Sequence, residues 1–160
     1  MAKLLLALCL LSCFVVIALA NTSGSFTIQG RVYCDTCRAG FETSATEYVE
    51  GAKVKVECKN YTTGETTQEA DGVTDASGTY NIPIMRNHEI EICEVALISS
   101  SRKDCDEIKP DRQSARVILA HDTGIASDIR YANSLGFLKK EPLPACGSLL
   151  QIYALADDLD

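Results

Sequence analysis

The cysteine inventory, read together with residues 1–20, constrains this chain more than any other feature. Eight cysteines are present. Cys9 and Cys13 fall in a segment with the form of a secretory signal peptide. Lys3 gives a positive start, residues 4–19 are almost wholly apolar, and Ala18-Leu19-Ala20 is a small-x-small cleavage site ahead of polar Asn21. The apolar run is near the lower limit for a bilayer span and no basic cluster follows it, so cleavage is expected rather than anchoring. Cys34, Cys37, Cys58, Cys93, Cys105 and Cys146 remain. An even number in an exported chain reads as three disulfides, with the connectivity open. The expected organisation is a signal peptide over 1–20 and one domain over 21–160, a length that can bury a true core.

Cys34 and Cys37 form a C-x-x-C, which by itself has three readings: a zinc half-site, a redox pair, or two anchors of a disulfide framework. Zinc needs more ligands, and no second C-x-x-C or H-x-x-x-H is present; His88 and His121 stand apart from the cysteines in sequence. A thioredoxin-like motif opens a helix, whereas this one ends a strand-like run. The framework reading is therefore favoured, with no metal and no cofactor expected. The formal net charge of -7 becomes one unit more negative when Lys3 leaves. That balance argues against nucleic acid and anionic membranes, which select basic patches.

The chain reads as strands. Phe26, Ile28, Gly30 and Val32 alternate with polar neighbours, as do Ala52, Val54, Val56 and Cys58, and then Tyr80, Ile82 and Ile84. Cys58 falls on the apolar face, where a disulfide would cross the core. Residues 61–64 and 75–78 are turns, the second with Gly78 available for positive φ. Pro83 marks an edge strand. In residues 88–98 Ile90 and Ile92 share one parity while Cys93, Val95 and Leu97 share the other, and a bulge near Cys93 would turn both sets inward. Residues 116–120 and 129–138 add strands, and 99–112 and 121–128 read as irregular loops. The resulting expectation is an all-β fold: an antiparallel sandwich or barrel of about six to eight strands with minor helical turns in loops.

Residues 29–38, Q-G-R-V-Y-C-D-T-C-R, closely resemble the signature of the plant pollen Ole e 1-like family, which includes anther-specific and extensin-type members. That pattern asks for Gly30, Val32, Tyr33, Cys34, Asp35, Cys37 and Arg38, and all are present. The six cysteines follow the family's order and approximate spacing. C-E-V at 93–95, R-Y-A-N at 130–133 and K-E-P-L at 140–143 also look like family features. A more distant similarity, to transthyretin-like sandwiches, runs through residues 51–56 and 74–82. The resemblance implies the pairs Cys34–Cys105, Cys37–Cys146 and Cys58–Cys93. Tyr33, Asp35 and Arg38 then orient the cysteine loop through hydrogen bonds and an ion pair.

Asn60-Tyr61-Thr62 is a glycosylation sequon in an expected turn, and Asn21-Thr22-Ser23 is a second at the start of the expected mature chain. No catalytic residue is assigned: there is no G-x-S-x-G, His121-Asp122 is only a sequence neighbour pair, and Glu89 and Glu91 are an ordinary strand spacing. The expected protein is a secreted, non-catalytic glycoprotein of the plant extracellular space or cell wall. By resemblance it acts in growth or reproduction on a cell-surface receptor or wall glycan. A carrier of a small apolar ligand and a wall-modifying enzyme are the rival readings. N-terminal sequencing of the protein from a plant host should begin at or next to Asn21, and thiol titration under denaturant should find no free sulfhydryl. Retention of residues 4–20, or two or more titratable thiols, would contradict the export reading.

Overall fold

The computed structural model describes residues 24–85, 88–110 and 112–157. The expected signal segment and Asn21 lie outside the described residues. Within them, ten β segments form two sheets and one helix follows. Strand β1 (Ser25–Asp35) organises the first sheet. One of its flanks is taken by β5 (Thr79–Met85) and then β2 (Glu47–Tyr48), both antiparallel to it. The other is taken by β9 (Ile129–Tyr131) and then β10 (Leu135–Lys139), both parallel to it. β7 (Cys105–Glu107) lies antiparallel outside β10. The second sheet has the order β4 (Thr66–Val73), β3 (Lys53–Asn60), β6 (Glu91–Ser99), β8 (Ser114–Val117), all antiparallel.

The core forms between the sheets because the period-two runs turn one parity inward. Phe26, Ile28 and Val32 of β1 meet Val54, Val56 and Val95 of the facing sheet, with Tyr80, Ile82, Ile84, Leu135 and Phe137, all nearly fully buried. Gly51, Gly64 and Gly78 have φ near +70°, so they suit the tight turns beside them. Asp75 closes the β4–β5 turn by accepting hydrogen bonds from the backbone of Ser77 at 2.8 Å and of Thr79 at 3.0 Å. The hydrogen bond from the Ser77 hydroxyl, then those from the two amides, hold its carboxyl below the usual range.

Three sequence expectations change at this level. The strand number exceeds six to eight because β2 and β7 are only two and three residues long, too short to show a period. Residues 129–138 split into β9 and β10. Thr27 pairs with Ile129 but Val32 with Leu135, so one extra residue is accommodated between them. That run lies parallel to β1 because the long connection from β8 carries the chain across to the other sheet before it pairs. Finally, no bulge near Cys93 turns both parities inward. Cys93, Val95 and Leu97 are buried, Ile90 and Ile92 are exposed, and the register shifts instead at the far end, where Lys53 and Val54 oppose Ser99 and Leu97. The expected edge position of Pro83 does hold: it pairs with Thr27 on the strand's only partnered side.

Two cross-strand pairs set an aromatic ring over a glycine. Tyr80 is the register partner of Gly30, and a Cβ on Gly30 would come within 2.2 Å of the tyrosine oxygen. On the other side of the sheet Tyr33 is partner to Gly136, where a Cβ would come within 2.6 Å of its ring. The signature glycine is thus needed for space, since it sits in ordinary extended backbone. Burial pushes the Tyr80 phenol well above its usual pKa, and its hydroxyl has no hydrogen-bond partner. Gly30→Ala should lower unfolding free energy by about 1–3 kcal/mol through overpacking. Adding Tyr80→Phe should return part of the loss, because it removes the atom in closest conflict. Urea denaturation of the single and double variants measures this; strict additivity would contradict it.

Candidate functional site

The signature residues meet at the C-terminal end of β1. Cys34 is bonded to Cys105 of β7, Cys37 to Cys146 of helix α1 (Cys146–Asp157), and Cys58 to Cys93. These are the pairs that the resemblance implies. The first spans β10, which lies between β1 and β7 in the sheet. The second fastens a helix whose face is otherwise largely exposed; its other anchors are the Tyr153 hydroxyl, which accepts from the Ser44 amide at 3.0 Å, and an edge contact of Tyr153 with Phe41 at 5.4 Å. The third, which the sequence suggested would cross the core, does not. Cys58 and Cys93 are direct register partners on neighbouring strands of one sheet. It is buried, but Cys34–Cys105 is equally so.

Asp35 and Arg38 hold the turn between the first two cysteines. Asp35, 2% exposed, accepts from the backbone amides of Ala39 at 3.0 Å and Gly40 at 2.6 Å. Arg38 has φ 53°, rare for a residue with a side chain, and its guanidinium secures that conformation. It donates two hydrogen bonds to Glu107, at 2.7 and 2.8 Å, and one to the Lys139 carbonyl at 2.8 Å. One arginine therefore ties the cysteine turn to both β7 and β10. The ion pair joins Arg38 to Glu107, a residue the sequence did not single out. Tyr33 contributes its ring packing and has no such role in charge; burial first, then Asp35 and Glu42, push its phenol up.

A second ionic cluster stiffens the same end. Arg102 reaches Asp104 at 2.9 Å and also Glu47 of β2, at 2.5 Å; Asp104 in turn accepts from Lys139 at 2.5 Å. Hydrogen bonds from Arg102 and then Lys139 hold the Asp104 carboxyl well below the usual range, and the Arg38 hydrogen bond lowers that of Glu107. The loop over residues 99–112, expected to be irregular, is thereby pinned at β7.

The outer face of the first sheet is open. On β1 the outward residues are Thr27, Gln29 and Arg31; on β5, Thr79 and Asn81; on β9, Ile129 and Tyr131. Arg31 lies over the Tyr48 ring at 4.1 Å, Gln29 donates to Asn81 at 2.7 Å, and Tyr131 is 72% exposed. Gln29, Gly30, Arg31, Thr79, Tyr131 and Ser134 border a shallow depression of about 200 Å³. The signal for it was the polar parity of β1, but only the sheet brings Tyr48 and Tyr131 to its two sides.

The remaining sequence candidates are dispersed. Asn60 ends β3, and its Oδ1 accepts from the amides of Thr62 at 2.9 Å and Thr63 at 3.1 Å, so the sequon lies in an Asx turn with Tyr61 well exposed. His121 does not engage Asp122 in any catalytic geometry; its ring stacks on Phe26 at 4.6 Å. His88, apart from the cysteines in sequence, lies beside the Cys58–Cys93 bond. Its Nδ1 faces Glu91 and its Nε2 faces the Met85 carbonyl at 3.0 Å. Ligand atoms of Cys58, His88, Glu91 and Cys93 lie within 4.8 Å of one another, but both sulfurs are consumed in the disulfide. This grouping is not legible in the sequence, because Cys58 joins it only through the β3–β6 register.

Fold and site together define a mostly β, sandwich-like protein braced by three disulfides around a C-x-x-C signature. The family model described as Pollen protein Ole e 1 like matches residues 24–154, and the chain belongs to this family. It is 53% identical over 135 residues to pollen-specific protein C13 of Zea mays, covering 84% of this chain and 79% of that protein. It is 44% identical over 155 residues to an Olee1-like protein of Betula pendula, covering 95% and 92%. Among solved structures, the major plantain pollen allergen Pla l 1 is similar at TM-score 0.69 and 32% identity, over 76% of this chain and 99% of that one.

Glu107 and Asp104 have lowered carboxyl pKa values in the fold. Their stabilisation is therefore present above the ordinary carboxylate pKa and lost as pH falls through the lowered values. The thermal midpoint should be nearly flat around neutrality and drop on acidification below about pH 4. Glu107→Gln should lower the midpoint near neutrality and shrink the acid drop. Scanning calorimetry across pH checks both; an unchanged acid slope in the variant would show the Arg38 pair to be idle.

Proposed function

We propose that the chain is exported, loses residues 1–20, and acts without catalysis in the plant extracellular space or cell wall. It serves there as a recognition module in growth or reproduction, binding a cell-surface receptor or a wall glycan. The observation that carries this reading is the outer face of the first sheet. It presents two tyrosines, an arginine and an amide pair side by side on paired strands. Tyrosine and arginine supply large, pre-ordered contact area, and aromatic rings with flanking amides suit the apolar faces and hydroxyls of sugars. Kinship with pollen proteins supports the reproductive setting. Asn60, in its Asx turn, is the proposed glycan-bearing residue; being at the end of β3, its sugar leaves that outer face uncovered.

The test is crosslinking capture from pollen and stigma extracts, run beside a wall-glycan array. The paired variant Arg31→Ala and Tyr131→Ala should lose binding by at least about tenfold. Far-UV circular dichroism and the thermal midpoint should remain close to those of the parent, because both side chains are on the outside. Undiminished capture by the variant would place recognition elsewhere.

A further inference from the structure

The two sheets leave a seam where β8, the last strand of the second sheet, faces β9, which pairs only with β1. A groove of about 330 Å³ runs along it. Val117, Ile118, Ile125 and Ile129 give it apolar walls, and Ile118 is 65% exposed. Apolar side chains left this open on both sides of one cleft are unusual on a free surface.

Arg130, the arginine of the R-Y-A-N segment, also lines this groove. Unlike Ile129 and Tyr131 on either side, it points inward and is only 3% exposed. Its guanidinium lies 4.6 Å over the Phe26 ring and donates to the carbonyls of Ala120, at 3.0 Å, and Ser127. Its Nε has no hydrogen-bond partner, and no carboxylate pairs with it among the described residues. By contrast Arg38 and Arg102, at the cysteine end of the sheet, each have a carboxylate. A buried guanidinium held only by neutral carbonyls and a ring retains an uncompensated charge and a spare donor. A carboxylate would satisfy both, through a charge-assisted hydrogen bond.

We infer that the seam between β8 and β9 binds a small amphipathic carboxylate, its apolar body against Ile118, Ile125 and Ile129 and its acid group drawn to Arg130. The volume is at the small end of ligand sites, which fits a short aliphatic or single-ring acid. This site adjoins the outward face along Ile129 and Tyr131, which border both, but it does not depend on the recognition reading.

Octanoate and its neutral counterpart octanol are the probes. Titrated into ¹⁵N-labelled full-length mature protein, octanoate should shift the amides of residues 116–118 and 125–131 saturably. Octanol should bind at least about tenfold more weakly. Arg130→Met should remove the preference for the acid. Since that variant loses a buried anchor of the fold, Ile118→Asp serves as the second: on an exposed rim, it keeps the fold and repels the acid, so saturation should vanish. Absence of saturable shifts, equal affinity for octanol, shifts mapping outside the seam, or full binding by Ile118→Asp would each overturn the inference. So would concentration-dependent broadening of the same amides without probe, since a second copy would then occupy the groove.

Discussion

Strand β1 has to satisfy four partner segments, and the rest of the structure depends on keeping its C-terminal end in place. Antiparallel β5 and β2 succeed one another along one flank, and parallel β9 and β10 along the other. Several of these contacts are only two to four residues long, with few ladder hydrogen bonds to resist fraying. The end is therefore tied by covalent bonds. Cys34 and Cys37 cannot easily bond each other across so short a span, and each reaches a distant segment. In the chain-entropy model, loops closed over separations of 71 and 109 residues each stabilise by about 4–5 kcal/mol, without simple additivity.

The electrostatics of this end follow from the same requirement. Arg38 stands in a left-handed conformation that a glycine would adopt more readily, yet the position carries a long cation. A glycine there could not reach Glu107 and the Lys139 carbonyl. Asp35 complements it from inside the turn, accepting hydrogen bonds from the half-buried amides of Ala39 and Gly40. The signature is thus a structural unit in which two cysteines, a carboxylate and a guanidinium each fix the next.

Away from that unit, burial follows the parity of β1 and β9, and Ile129 and Tyr131 border both the outer face and the seam. Outward residues build the tyrosine- and arginine-bearing face, while Arg130, one residue out of phase, enters the seam. Two neighbouring residues of a single short strand, Arg130 and Tyr131, therefore serve different environments. The carbonyls around Arg130 come from the connection after β8, so the charge is placed by a loop rather than by a paired side chain.

The sequence alone determined which residues face the core in β1, β3 and β5, because a half-buried strand must alternate. It also determined the turns at Gly64 and Gly78, the edge position of Pro83 and, through family resemblance, the disulfide partners. Only the tertiary structure decided the parallel course of β9 and β10, the outward turn of Ile90 and Ile92, and the terminal helix. It alone brought Glu107 to Arg38, His88 to the Cys58–Cys93 bond and Tyr131 to Gln29. The reason is physical: burial periodicity is written locally, residue by residue, whereas strand direction and cross-strand partners depend on where a distant connection returns the chain. A two-residue strand such as β2 or a lone inward arginine has no period to announce it, and acquires its meaning only when its neighbours arrive.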